Sequence, residues 1–112
     1  MMSNNRLDVL PKANRFFKKL GKQDKQLQLK FKTAIQSIVK NPAVGDVKSG
    51  DLAGVYGYDI YHQGTNYEIA YYVEEDQDGN IVVVILAGTR ENFYGELKRY
   101  MKTSNIKADK YN

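Results

Sequence analysis

The sequence contains no cysteine, which excludes a disulfide framework, a cysteine nucleophile and any thiolate metal site. It contains a single histidine, His62, so a metal site built from several histidines is also excluded. No apolar run approaches the roughly 18 residues of a membrane span, and the first residues lack the continuous apolar segment of a secretory signal. We therefore expect a cytoplasmic protein, and the residues give no reason to invoke a metal or an organic cofactor.

Length and composition predict one globular domain. The chain has 112 residues, of which 42% are hydrophobic and 27% charged, and this is enough to bury a core without metal or disulfide support. We expect a single domain over residues 1–102, followed by a polar, flexible tail at 103–112.

The charges are unevenly distributed along the chain. Residues 12–40 carry nine basic residues and one acidic residue, whereas residues 41–85 carry one basic residue and eight acidic ones. One interpretation is that charged helices simply keep their outer faces solvated. The other is a basic surface for phosphates beside a separate acidic region.

The hydrophobic periodicity predicts helices in the first part of the chain. Residues 7–9 alternate apolar, polar, apolar, which indicates a short strand. Pro11 suits the first turn of a helix, and apolar residues recur at helical spacing until Gly21, where we expect that helix to end. A second helix is predicted over 23–40, ending before Pro42 because a residue before proline avoids the α region.

The second half of the chain is predicted to form the strands of a sheet, followed by a helix. After a loop at 43–54, strands are predicted at 55–62, 67–74 and 81–87, and a last helix at about 91–102. The strand predicted at 81–87 is continuously apolar, which is typical of a central strand covered on both faces. The order β-α-α-β-β-β-α predicts an α+β fold, with an N-terminal helical hairpin packed on a small, mainly antiparallel sheet and a C-terminal helix.

Several segments of the chain resemble a known family in their order and spacing. They are 48–52 (KSGDL), 54–56 (GVY), 67–71 (YEIAY) and 88–94 (GTRENFY), after a basic helical hairpin. Over residues 7–102 the chain resembles the RelE/ParE superfamily, the small toxins of bacterial type II toxin–antitoxin pairs. The resemblance implies a RelE-like fold and a cognate antitoxin. RelE-like members cut messenger RNA on the ribosome, whereas ParE-like members inhibit DNA gyrase.

The resemblance implies two functional residues. Arg90 matches the arginine that contacts the scissile phosphate in the RNA-cleaving members, and a guanidinium suits this role because it can fork onto two phosphate oxygens. Tyr94 matches the family tyrosine in the first turn of the last helix, where a phenol can stack on a base or donate to a phosphate. The alternatives are that Arg90 forms a structural salt bridge to Glu68 or Glu91, and that Tyr94 only packs the helix on the sheet.

Three positions depart from the pattern of the RNA-cleaving members. These members place lysines on the first hairpin strand, where this chain has Gly57 and Asp59, and an arginine on the next strand, where it has Glu68. Two carboxylates and a glycine therefore replace positive groups, which lowers the expected affinity for an RNA backbone.

The departures allow a different division of catalytic roles. Cleavage by a ribose 2′-hydroxyl requires a base, a charge stabiliser and an acid. Glu68 or Asp59 is a candidate base, Arg90 the stabiliser, and His62 or Tyr94 the acid. The alternative is that both carboxylates are polar residues on the solvated face of a hairpin, and that His62 stands at a hairpin edge without a catalytic role.

Three further residues are candidates for RNA binding, namely Lys48, Tyr58 and Lys98. The alternative is that the two lysines are merely solvated and that Tyr58 takes part in ordinary strand packing. The sequence thus favours a metal-independent, ribosome-associated mRNA endoribonuclease toxin that a cognate antitoxin neutralises. The alternatives are a ParE-like gyrase inhibitor without catalytic activity and a non-toxic protein that retains only antitoxin binding. An acidic antitoxin would fit the basic helical hairpin.

Overall fold

The computed structural model describes residues 5–108. Three helices and five strands follow one another as β1 (Arg6–Val9), α1 (Pro11–Gln23), α2 (Lys25–Lys40), β2 (Asp46–Val47), β3 (Tyr56–His62), β4 (Thr65–Asp76), β5 (Gly79–Thr89) and α3 (Phe93–Thr103). The predicted α+β class is confirmed, and the predicted helices and main strands occur in the predicted order.

The five strands form one sheet in the order β1-β5-β4-β3-β2. β1 pairs in parallel with β5, and the other neighbours are antiparallel. The central position of β5 explains its continuous apolar sequence, because Val82 and Val84 pack on one side of the sheet and Val83 and Ile85 on the other.

Helices cover both faces of the sheet. The hairpin α1–α2 packs Leu27, Phe31 and Ile38 on one face, and α3 packs Phe93 and Leu97 on the other. Alternate side chains of each strand therefore enter two different cores. This alternation places each polar residue of β3 and β4 on either the hairpin face or the α3 face.

The sequence predicted that the first helix ends at Gly21, but in the structure α1 continues to Gln23. Asp24 ends α1 and begins α2, since its Oδ1 accepts a hydrogen bond of 3.1 Å from the backbone N–H of Leu27. A Cβ atom at position 21 would lie 2.8 Å from Nε2 of Gln28. The glycine therefore accommodates the approach of α2 rather than terminating α1.

The predicted loop at 43–54 contains the short strand β2 and is anchored by a buried tyrosine. The hydroxyl of Tyr71 donates a hydrogen bond of 2.6 Å to the carbonyl of Pro42 and accepts one of 3.0 Å from the N–H of Gly45. Burial raises the pKa of Tyr71 to about 12, so this phenol remains a donor at neutral pH. These two hydrogen bonds of Tyr71 hold the loop against the sheet, and Lys48 follows in the same loop.

The described part of the C-terminal segment packs on the domain instead of extending from it. After α3, the N–H of Ile106 donates to the carbonyl of Met101 at 2.8 Å, and Ala108 is buried in the α3 core. Ile106 and Ala108 of the predicted polar tail at 103–112 thus pack beside α3, and the flexibility of the tail stays a prediction. Residues 109–112 lie outside the described range.

Gly95 provides a test of helix propensity in α3. A Cβ atom there would meet no atom within 4 Å, so we expect Gly95→Ala to raise the free energy of unfolding by about 0.5–1 kcal/mol. The control is Gly64→Ala, which is equally uncrowded but has a φ of +81° and should destabilise. Urea unfolding measures both, and a less stable Gly95→Ala protein would contradict the prediction.

Candidate functional site

Five polar side chains meet on the α3 face of the sheet. Glu68 on β4 lies directly opposite Asp59 on β3, Arg90 follows the end of β5, Tyr94 lies in the first turn of α3, and Lys48 reaches in from the anchored loop. We refer to these five residues as the polar cluster.

Glu68 is the buried centre of the polar cluster, with only 1% of its surface exposed. Its Oε2 accepts a hydrogen bond from the hydroxyl of Tyr94. Its Oε1 has no hydrogen-bond donor among the described residues, and the nearest cationic group is Nε of Arg90 at 3.9 Å. Tyr94 therefore holds one oxygen of the carboxylate, and the other is buried without a donor among residues 5–108.

The environment of Glu68 raises the pKa of its carboxyl group towards neutral pH. Burial is the main cause, and the neighbouring Asp59 adds to it; together they raise the pKa of Glu68 to about 7, although the Tyr94 hydrogen bond and the charge of Lys48 act in the opposite direction. Burial and the bond to Glu68 also raise the pKa of Tyr94 above its usual range. Glu68 can thus exchange protons near pH 7, while Tyr94 remains a neutral phenol.

Arg90 lies at the solvent boundary of the polar cluster, and 55% of its side chain is exposed. Its backbone N–H donates to the carbonyl of Asn66 at 2.9 Å, which fixes the arginine at the end of the sheet. The guanidinium lies 3.8 Å from Oδ2 of Asp59 and 3.9 Å from Oε1 of Glu68. Both distances exceed a hydrogen bond, so the guanidinium donors are available to an anionic ligand.

Because Gly57 has no side chain, the polar cluster has room beside β3. A Cβ atom at this position would overlap Oε2 of Glu68 and would lie 2.6 Å from Oη of Tyr94 and 2.8 Å from Cε of Lys48. The ammonium of Lys48 itself lies 4.9 Å from the centre of the Tyr94 ring, which is a cation–π contact. Sequence reasoning treated Gly57 only as a missing lysine and did not find this role.

The structure does not bring His62 to the polar cluster. His62 is buried on the opposite, hairpin face of the sheet, with Nε2 3.6 Å from Oδ2 of Asp24. The strand alternation that places Asp59 beside Arg90 necessarily turns His62 away. Of the two candidate acids, only Tyr94 lies at this site.

Two of the three candidate RNA-binding residues also lie elsewhere. Tyr58 packs on the hairpin face with α2. Lys98 is exposed one turn beyond Tyr94 and lines a separate cleft with Asp51. Lys48 is the one that joins the cluster. The burial of Glu68 also contradicts the interpretation that it is a solvated hairpin residue, whereas Asp59 is half exposed.

Residues 5–108 contain neither a cluster of metal ligands nor a helix that could span a membrane. No three side chains among histidine, cysteine, aspartate and glutamate are grouped so that they could hold a metal ion. No helix of this part of the chain is both long enough and apolar enough to cross a membrane.

The fold and the polar cluster define a small α+β protein. Its site combines a buried carboxyl group, an exposed arginine after the central strand β5 and a phenol in the first turn of α3. The family model of the ParE-like toxin of type II bacterial toxin–antitoxin systems matches residues 7–98. The chain therefore belongs to this family of toxins, which confirms the resemblance to the RelE/ParE superfamily. Membership of a type II pair implies an antitoxin partner.

A solved structure supports the same fold. The YoeB/ParE toxin from Agrobacterium tumefaciens is similar with a TM-score of 0.66 and 18% sequence identity, over 76% of this chain and 98% of that one. At this identity the similarity establishes the architecture alone. A search of curated proteins gives no match.

Proposed function

We propose that this toxin is a ribosome-associated endoribonuclease that cleaves messenger RNA by attack of a ribose 2′-hydroxyl. The observation that carries the proposal is the buried carboxyl of Glu68, with a pKa near 7, beside the exposed guanidinium of Arg90. A general base is most effective when its pKa lies near the working pH. Carboxyl groups with strongly shifted pKa values beside a charged partner cluster at functional sites.

The two oxygens of Glu68 suit different tasks. Tyr94 holds Oε2, which orients the carboxylate, while Oε1 has Arg90 as its nearest cation. A phosphate that binds the guanidinium would draw it away from the carboxylate and uncover Oε1. That oxygen then accepts the proton of the 2′-hydroxyl, whose oxygen attacks phosphorus.

The remaining groups balance the charge and the proton. Arg90 donates to the non-bridging phosphate oxygens as negative charge develops on them. The bond to the 5′-oxygen breaks, and that oxygen takes a proton from water or from the Tyr94 phenol, so the products are a 2′,3′-cyclic phosphate and a 5′-hydroxyl. Lys48 adds a second positive charge, and the basic segment 12–40 offers a surface to ribosomal RNA.

A second candidate function is inhibition of DNA gyrase through a protein–protein contact. It is favoured by the two carboxylates, Asp59 and Glu68, which lie within 4 Å of Arg90 and offset its charge towards RNA. Such an inhibitor needs no proton transfer. The two functions therefore differ in whether a group with a pKa near 7 controls the activity.

The test compares the two activities on the same purified protein. Translating ribosomes with a defined message are assayed by primer extension, and gyrase by its supercoiling of relaxed plasmid. We expect new cleavage ends, reduced about 100-fold in rate in Arg90→Ala because the charge stabiliser is lost. Arg99→Ala, an exposed arginine on α3, is the matched control and should stay within about twofold of the wild type. An intact message with blocked supercoiling would reject the ribonuclease and support the gyrase inhibitor.

A further inference from the structure

A basic cleft lies beside the polar cluster, along the C-terminal half of α3. It has a volume of about 450 Å³ and lies between α3, the segment that follows α3, and the loop that carries Lys48. The charged side chains that line it are those of Lys98, Lys102, Lys107 and Asp51. Because three of them are basic and one is acidic, the cleft has two net positive charges. We refer to this site as the α3 cleft.

The helix aligns two of the lysines with the polar cluster. Tyr94, Lys98 and Lys102 follow one another at intervals of four residues in α3, and residues four apart lie on the same face of a helix. At a rise of about 1.5 Å per residue, each step along this face is about 6 Å. The two ammonium groups therefore continue, turn by turn, the face on which Tyr94 meets Glu68.

The turn at the end of α3 brings the third lysine to the same cleft. Asn105 has a φ of 54°, and the N–H of Ile106 donates to the carbonyl of Met101 at 2.8 Å. These are the features of a Schellman motif, which turns the chain back at the end of a helix. Lys107 is thereby directed to the α3 cleft instead of away from the domain.

Local electrostatics does not account for all three lysines. The negative end of the helix dipole favours a cation in the last turn, which explains Lys102 alone. Within residues 5–108, no carboxylate forms a salt bridge with any of the three ammonium groups. Like charges that converge without a counter-ion repel each other, so an anionic ligand would stabilise this arrangement.

The floor of the α3 cleft is apolar. Leu52 and Met101 are buried there, and Ile106 is half buried. Cations above an apolar floor suit a strand of nucleic acid, because its phosphates can pair with the ammonium groups while a base covers the apolar side chains. A run of acidic residues in a protein supplies the charge but nothing that covers this floor.

The α3 cleft and the polar cluster share two walls. The ammonium of Lys48 lies 4.9 Å from the centre of the Tyr94 ring, and Asp51 and Leu52 of the same loop line the α3 cleft. The other wall of both sites is α3. A strand whose phosphate lies at Arg90 can therefore follow this loop and this helix along the protein surface.

We propose that the α3 cleft is a second phosphate-binding site, which holds the message strand next to the bond that is cleaved. Lys98, Lys102 and Lys107 pair with successive phosphates, and a base lies against Leu52 and Ile106. The inference rests on the proposed ribonuclease, since it extends the path of the same substrate. It implies that the toxin binds a length of single strand rather than one phosphodiester bond.

The first test titrates the full-length protein, followed by NMR, with a uridine hexanucleotide whose 2′-hydroxyls are methylated. This probe cannot be cleaved, because the attacking hydroxyl is blocked. We expect the amide signals of Lys98, Lys102 and Lys107 to move at the same probe concentrations as the signal of Tyr94, since one strand occupies both sites. A hexapeptide of glutamate should bind about tenfold more weakly, because it cannot cover the apolar floor.

The second test measures the affinity for the same hexanucleotide at several salt concentrations. Each phosphate contact to a single strand contributes about 0.7 to the slope of log affinity against log salt, so Lys98→Ala with Lys102→Ala should lower the slope by about 1.4 and weaken binding about 20-fold at about 0.1 M salt. Lys18→Ala with Lys22→Ala is the control. It removes an exposed pair with the same spacing from α1, across the sheet, and should change the affinity less than about twofold. Asp51→Asn removes a repelling carboxylate and should tighten binding about threefold.

Three results would overturn the proposal. The first is equal weakening in the two double variants. The second is binding of the glutamate hexapeptide as tight as that of the hexanucleotide. The third is saturation of the Tyr94 signal at a different concentration from the signals of the α3 cleft, which would assign the cleft to a separate RNA, such as that of the ribosome.

The uncleaved hexanucleotide reports binding alone, so failure of this inference is distinguishable from failure of the proposed ribonuclease. Cleavage of the message on ribosomes together with unmoved signals in the α3 cleft would reject the cleft as a site and leave the ribonuclease intact. Signals that move while the message on ribosomes stays whole would reject the ribonuclease, and with it the message as the ligand of the α3 cleft.

Discussion

Glu68→Gln is expected to make the protein more stable at pH 8 while removing most of its RNA cleavage. The ordinary pKa of the carboxyl is 4.5, and the fold raises it to about 7. At about 1.4 kcal/mol per pH unit, an ionised Glu68 costs roughly 3 kcal/mol. The weaker hydrogen bond between Tyr94 and an amide offsets part of this gain, so we expect a net stabilisation of about 2 kcal/mol at pH 8.

The pH dependence of this gain has a definite sign. Between pH 4.5 and about 7 the native state binds the Glu68 proton and the unfolded state does not. The contribution of Glu68 to the free energy of unfolding therefore falls as pH rises through this window. We expect the advantage of Glu68→Gln to appear above pH 4.5, to grow until about pH 7 and to be constant beyond it.

Urea unfolding of both proteins across pH 4–8 measures the difference. Glu75→Gln, which replaces an exposed carboxyl farther along β4, is the control and should change the stability by less than about 0.5 kcal/mol. A pH-independent difference between Glu68→Gln and the wild type would contradict the raised pKa.

The activity of Glu68→Gln should change in the opposite direction. As general base, the wild-type carboxylate must be ionised, so the rate of cleavage should rise about tenfold per pH unit below pH 7 and level off above it. An amide cannot accept the proton, and we expect the rate to fall by about a thousandfold and to lose this pH dependence. A stabilised Glu68→Gln protein with full cleavage activity would show that Glu68 is not the base.

Gly57→Ala is expected to destabilise the protein by about 2–3 kcal/mol and to disrupt the polar cluster. The added Cβ would overlap Oε2 of Glu68 and crowd Tyr94 and Lys48. Glu68 is buried and Tyr94 is half buried, so neither side chain can swing freely into water. Their hydrogen bond must lengthen or break, which leaves a buried carboxyl with fewer partners.

Gly88→Ala is the matched control for this substitution. Gly88 lies opposite Glu68 on the other neighbouring strand, β5, yet a Cβ there would meet no atom within 4 Å. We expect its free energy of unfolding to change by less than about 0.5 kcal/mol. The pKa of Glu68, followed by carbon-detected NMR, should move in Gly57→Ala and not in Gly88→Ala. Equal stabilities of the two variants would show that the cluster adapts to the extra methyl group.

Local sequence patterns were sufficient for the framework of this protein. Helical spacing of apolar residues predicted α2 to within two residues of its start, and the continuous apolar run at 81–87 predicted a central strand covered on both faces. The resemblance to the RelE/ParE superfamily, and not a local pattern, singled out Arg90 and Tyr94, which the structure places together at one end of the sheet.

Only the tertiary structure decided the chemistry of the polar cluster. The burial of Glu68 depends on α3 and on the loop that carries Lys48, elements distant in sequence whose packing no local pattern reports. The close approach at Gly57 and the α3 cleft, which lies between that loop and the end of α3, also arise from contacts between separate segments. A residue's type and spacing are local properties, whereas its desolvation, and with it the pKa of Glu68, is the sum of everything that packs around it.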